Sequence, residues 1–206
     1  MSIPSTLTPC DLRVAAARLR VDVAVIQALT EVESLGGGFL ADGQIKILYE
    51  RHIMYRQLAT VISAEQLHRF HNTYPNLVNP LSGGYATGAT ALERGQGEHL
   101  RLKAARLINK SLSLEACSWG MFQIMGFHWR NLGYESAVDF VLTLSKSEAN
   151  QLEAFCRFVE HNTQLLNALR SHDWTQVARL YNGKNFAKNK YDIRLRDSHK
   201  KWSQQQ

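Results

Sequence analysis

Helix-start and helix-stop signals recur along almost the whole chain, and this constrains the fold more than any other feature. Thr8-Pro9-Cys10-Asp11 offers a capping threonine, a proline at the first helical position and an acid in the first turn, which predicts a helix to about Arg20. Asp22 is a second cap candidate. Val25, Leu29 and Val32 follow at helical spacing, and Gly36-Gly37-Gly38 ends that run. Further helices are predicted over Glu50–Ala59, Ser63–Asn72, Thr90–Asn109, Leu114–Ser118, Phe127–Leu132, Ser136–Leu144 and Ser147–His161, and from Asp173 to Asn182-Gly183. Gln44–Tyr49 alone reads as β, and Thr73–Thr90 reads as loop. With 45% apolar residues over 206 positions, and no repeat or linker-like stretch, the expectation is a single mainly α domain over residues 1–206 with a small β element.

Several classes are set aside by composition. No apolar run approaches the roughly 18 residues that span a bilayer. The first ten residues have neither a basic start nor an apolar stretch, so no secretory signal is expected and synthesis in the cytoplasm is the simplest reading. Cys10, Cys117 and Cys156 form no CxxC pair, which argues against a zinc ribbon, a redox motif or a disulfide scaffold. His68 and His71 near Glu65 hint at a metal, but no ligand pattern supports it. The glycine pairs do not follow a strand and open a helix as a phosphate loop does. No metal and no cofactor is therefore expected.

The net charge of +6 is concentrated at the C-terminal end. Seven Lys and Arg face two Asp between Lys184 and Gln206, so that segment carries +5. Tyr191, Leu195, Ser198 and Trp202 recur at helical spacing within it. A basic amphipathic helix docked on the domain is predicted over residues 188–206. Such a segment suits an anionic partner, or it is simply a solvated face.

The segment Ala28–Ser34 holds two acids with different surroundings. At about 100° per residue, Glu33 lies about 40° from Leu29 and Glu31 about 160° away. Glu31 is thus predicted in solvent and Glu33 at the edge of the core. Partial burial disfavours the charged form. The carbonyls of the last helical turn also make the potential there negative. Both raise the carboxyl pKa, and an acid still protonated near neutrality is what glycosidic bond cleavage needs. On this helix alone, a Glu that caps a turn or pairs with an Arg is the commoner arrangement.

Three separated motifs bear on that choice. Glu33-Ser34 closes a helix before a glycine-rich turn. Ser118-Trp119-Gly120-Met121-Phe122-Gln123-Ile124-Met125-Gly126 contains Gly-x-x-Gln-Ile, and Ala178-Arg179-Leu180-Tyr181-Asn182-Gly183 matches Ala-x-x-Tyr-Asn-Gly. In this order they resemble the motifs of goose-type lysozymes and soluble lytic transglycosylases. The nearer resemblance, over about residues 10–200, is to the N-acetylmuramidase family of phage endolysins. Lys46-Ile47-Leu48-Tyr49-Glu50-Arg51-His52, Gly83-Gly84-Tyr85, Gln151–Phe158 and Ala178–Gly183 add to it.

The resemblance implies a lysozyme-like α+β fold with a groove beside the β element, and cleavage of the β-1,4 bond between N-acetylmuramic acid and N-acetylglucosamine. Glu33 would be the general acid, with Ser34, Gly120, Gln123, Tyr181 and Asn182 binding substrate. Gly120 would let the backbone approach a sugar ring, Gln123 would pair with N-acetyl or hydroxyl groups, and Tyr181 would reach toward Glu33. Glu50, after the β segment, is the candidate second catalytic carboxylate, with ion pairing to Arg51, Arg56 or His52 as the alternative. The Asn182-Gly183 pair equally reads as a helix-ending turn.

The implied partner is peptidoglycan, with anionic outer-membrane lipid a possible second partner of the basic helix. No nucleic acid partner is expected, and the protein is expected to act as a monomer. The lytic action would follow release from the cytoplasm, and no N-terminal wall-binding module is expected. Transglycosylation to anhydro ends, a basic nucleic-acid-binding module, and a lysozyme fold that only binds glycan are the competing readings.

Overall fold

The computed structural model of the chain describes residues 5–33, 37–183, 187 and 189–205. Helices dominate. α1 (Pro9–Leu19) starts where Thr8 and Asp11 bond each other reciprocally as a capping box. α2 (Val23–Glu33) follows, burying Val25, Leu29 and Val32 as their spacing predicts. β1 (Ile47–Tyr49) leads directly into α3 (Arg51–Leu58) and α4 (Ala64–Thr73). α5 (Ala91–Ile108) is the long helix, and Asn109 then caps α6 (Lys110–Glu115).

The β element is larger than the sequence suggests. β2 (Cys117–Trp119) and β3 (Ile124–Met125) join β1 in an antiparallel sheet of order β1-β2-β3. Ile47 pairs with Trp119 and Tyr49 with Cys117; Ser118 pairs with Met125. The helix predicted over Leu114–Ser118 therefore ends at Glu115 and gives way to strand. Cys117, Ser118 and Trp119 are all buried, so no apolar–polar alternation marks them as β. Phe127–Leu132 is likewise not an α-helix; a single 3₁₀ turn covers Gly126–His128.

The second half is an α-helical wrap: α7 (Ala137–Leu144), α8 (Glu148–Glu160), α9 (Thr163–Arg170), α10 (Trp174–Asn182) and α11 (Tyr191–Ser203). α9, capped by Asn162, is an addition to the helices read from the sequence. One hydrophobic cluster runs from Ala15 to Leu195 and includes the sheet residues Ile47, Tyr49, Trp119 and Ile124. α11 packs mainly along α2, burying Tyr191, Leu195 and Ser198 with Trp202 half-buried, which is the docked face expected of the basic segment. Burial of Leu195 alone is worth about 1.5–3 kcal/mol. Among the described residues, no helix is long and apolar enough to cross a membrane.

Candidate active site

A groove of about 430 Å³ opens between the end of α2, the β1–β2 face and the start of α5. Glu33, Lys46, Leu48, Tyr85, Arg94, Glu98, Gly120 and Gln123 are among its walls. The two acids of α2 diverge as predicted. Glu31 is exposed and holds α11, accepting from Lys201 Nζ at 3.0 Å and from Trp202 Nε1 at 2.6 Å. Glu33, the last residue of α2, faces the groove. Burial pushes its carboxyl up to about 7, while the nearby Arg194 charge pulls it partly back. Arg194 is held there by a 3.2 Å bond from Nη2 to the Val32 carbonyl.

The phenol on Glu33 comes from a residue that the motifs do not contain. Tyr191, the first residue of α11, donates its hydroxyl to Glu33 Oε1. Tyr181 stacks on Tyr191 with centroids 6.5 Å apart, but its own hydroxyl donates to the Phe122 carbonyl at 2.5 Å. Burial and the Glu33 charge both hold the Tyr181 phenol protonated. Tyr181 is thus a half-buried brace between the β2–β3 hairpin and Tyr191, packed edge-on against Phe155 and Phe158. The expected reach of Tyr181 to Glu33 is made by Tyr191 instead. Tyr191 belongs to the buried stripe of the basic segment, so periodicity marks it as core and gives no sign of the acid 158 positions away.

The Gly-x-x-Gln-Ile motif is the β2–β3 turn. Gly120 (φ +71°) and Gln123 (φ +48°) both have left-handed backbone. Gln123 lines the groove, yet its amide is engaged within the turn: Oε1 accepts from Ser118 Oγ and Nε2 donates to the Gly120 carbonyl, both at 2.8 Å. One Nε2 hydrogen is left to face a ligand. Gly120 also lines the groove, but a side chain there would meet Gln151, with Cβ 2.6 Å from its amide oxygen. The same Gln151 would collide with a Cβ on Gly38 at 1.9 Å. The glycines are therefore required by α8, whose buried Gln151 accepts from Met121 N at 2.7 Å and donates to the Leu144 carbonyl at 3.2 Å. Glu148, one turn earlier, accepts from Gly38 N at 2.7 Å and Leu7 N at 3.0 Å. Glu148 and Gln151 thus fix the glycine turn after α2 against the hairpin.

Asn182 is exposed at the end of α10 and lies outside the groove lining, and Gly183 (φ +73°) caps that helix. This matches the helix-ending turn rather than a substrate contact. Ser34 lies outside the described residues.

Glu50 stands just beyond β1, with only 15% of its side chain exposed. It accepts from the hydroxyl of the groove residue Tyr85 at 3.1 and 3.2 Å, and His52 Nδ1 lies 3.1 Å from its Oε2. His52 is one of the three pairing partners read from the sequence; Arg51, another of them, is used elsewhere. Its guanidinium gathers the loop carbonyls of Pro75, Leu81 and Ser82 at 2.9–3.2 Å and so carries Gly83-Gly84-Tyr85 to the groove.

The second carboxylate in the groove wall is Glu98, which the sequence reading passed over. It is 4% exposed and fully used: Oε2 accepts from Tyr49 N at 3.0 Å and Arg101 Nη1 at 2.7 Å, Oε1 from Ala86 N at 2.6 Å. These bonds tie β1, α5 and the Tyr85 loop together. Both of its oxygens are thereby committed to the scaffold around the groove. A Glu inside an exposed-looking helix, paired at i,i+3 with Arg, carries no sequence signal for this.

A profile of the N-acetylmuramidase family matches residues 22–203. Among solved structures, the crystal structure of the Burkholderia AP3 phage endolysin is similar at a TM-score of 0.87 and 49% identity, over 98% of this chain and 72% of that one. No curated protein sequence matches. The chain belongs to the N-acetylmuramidase family. It is a muramidase-type glycoside hydrolase acting on peptidoglycan.

Proposed function

We propose that the chain is a phage-type endolysin in which Glu33 is the general acid that protonates the glycosidic oxygen between N-acetylmuramic acid and N-acetylglucosamine. The observation that carries this is a groove-facing carboxyl whose burial raises it to about 7, in reach of one phenol and one guanidinium. Protonated, it supplies the proton to the leaving oxygen as the oxocarbenium-like transition state forms. Once ionised, it is stabilised by the nearby Arg194 charge and by the Tyr191 hydroxyl, which donates more strongly to the anion than to the neutral acid. Glu50 is the second carboxylate in this reading. With Tyr85 between it and the groove, it holds or activates the water that completes hydrolysis. Gly120, Gln123 and the Tyr85 loop form the wall against which the glycan lies.

Mass spectrometry of digested peptidoglycan tests this reading. Reducing N-acetylmuramic ends are expected, and Glu33→Gln should abolish them while the fold survives. Anhydro ends would assign attack to the sugar's own hydroxyl, and residual activity in Glu33→Gln would remove the acid role.

The exposed cations of α11, chiefly Arg196 and Lys200, are proposed to hold the anionic wall or outer-membrane lipid, with the enzyme acting as a monomer. Lys201 and Arg194 are already engaged by Glu31 and Val32, while Arg196 meets only its exposed neighbour Asp197 at 3.1 Å. Because α11 contributes Tyr191 and Leu195 to the core, deleting it would unfold the protein, so the test is charge reversal. Arg196→Glu with Lys200→Glu should weaken binding to anionic vesicles at low salt and lose that effect at high salt.

A further inference from the structure

We propose that Asp22, His172 and His199 form a binding site for a divalent transition metal of the zinc class, clamping α11 to the start of α2. The three residues come from distant points: Asp22 precedes α2, His172 lies in the turn between α9 and α10, and His199 is on α11. One ligand atom from each lies within 4.8 Å of the others. Ligands of a tetrahedral zinc ion, bound at about 2.0–2.1 Å, stand roughly 3.4 Å apart. His172 Nε2 and Asp22 Oδ2 are already 3.5 Å apart, so little closure is needed.

The ring geometry prepares the site. His172 stacks on Trp174 with centroids 5.5 Å apart and planes 8° apart, which fixes its orientation. The His199 ring lies 4.4 Å from that of His172 and 5.0 Å from Trp174. Two imidazoles and one carboxylate suit zinc, nickel or copper rather than magnesium or calcium. Half-exposed histidines beside an exposed aspartate leave a fourth position open to water. The pair that the sequence first suggested is unsuited by contrast: His71 Nδ1 meets the Val78 carbonyl and His68 Nε2 meets Asn72.

The site is remote from the chemistry. Asp22 and Glu33 bracket α2, about 16 Å apart at 1.5 Å per residue. The ion is a clamp on the helix that carries Tyr191 and Arg194, with no part in bond cleavage.

The full chain, stripped with chelator, tests this by calorimetric titration and thermal melting with zinc chloride. One ion per chain is expected, with a rise in Tm of roughly 5–10 °C at a hundredfold excess over Kd. Magnesium chloride should leave Tm unchanged. His199→Ala and Asp22→Asn should each abolish the rise, and Asp22→Asn, at an exposed position, should keep the metal-free Tm and the lytic activity of the wild type. Absence of a zinc effect, or an undiminished effect in both variants, overturns the site.

Discussion

Replacing Glu33 by glutamine should change stability in a pH-dependent direction as well as remove activity. The folded carboxyl titrates near 7 against an ordinary value of 4.5. The folded state therefore binds the proton more tightly than the unfolded chain between these values. Stability from that preference is complete below about pH 4.5 and is lost as pH rises through about 7. A shift of this size corresponds to about 3 kcal/mol at full burial. Glu33 keeps contact with groove water, so about 2 kcal/mol is the working figure. Glutamine retains the shape and the acceptor for the Tyr191 hydroxyl but never ionises. The variant and wild type should thus melt together near pH 4, and the variant should melt roughly 4–8 °C higher at pH 9. Thermal melts from pH 4 to 9 read this directly. A constant difference between the two proteins across that range would refute the burial argument.

Other outcomes follow from the same contacts. Tyr191→Phe removes one hydroxyl that favours the ionised acid, so the alkaline limb of the pH–activity profile should move to higher pH; an unmoved limb would discount the contact. Gln151→Ala orphans the Met121 amide and the Leu144 carbonyl, each worth about 1–3 kcal/mol, and denaturant unfolding should show a loss of about 2–6 kcal/mol. Gly38→Ala should be strongly destabilising, and partly rescued when combined with Gln151→Ala, because the two groups compete for one space. Glu98→Ala should cost about 3–5 kcal/mol by stranding Arg101 and two backbone amides, and proteolysis should then attack the Tyr85 loop.

Much of the fold was legible because helix caps and periodicity are local. Thr8, Ser63 and Thr90 cap helices where their side chains predict it, and the Tyr191–Leu195–Ser198 stripe docks as spaced. The strands β2 and β3 were not legible, since two or three residues on either side of a turn are too few to show a period. The site divides along the same line. The placement of Glu33 against Glu31 is a matter of helical angle and could be read from one segment. The use of Gly38 and Gly120 could not, because their constraint is a glutamine on α8 far along the chain. Tyr181 and Tyr191 show the same limit: both are aromatic, both are near the acid, and only packing decides which hydroxyl points to it.

The protonation state of Glu33 is the point on which the catalytic account stands, and a carboxyl-carbon NMR titration of the ¹³C-glutamate-labelled protein measures it. The signal lost in Glu33→Gln should titrate with a midpoint near 7. A midpoint near 4.5, the value of an unperturbed glutamate, would mean that the residue is ionised at neutral pH and has no proton to give.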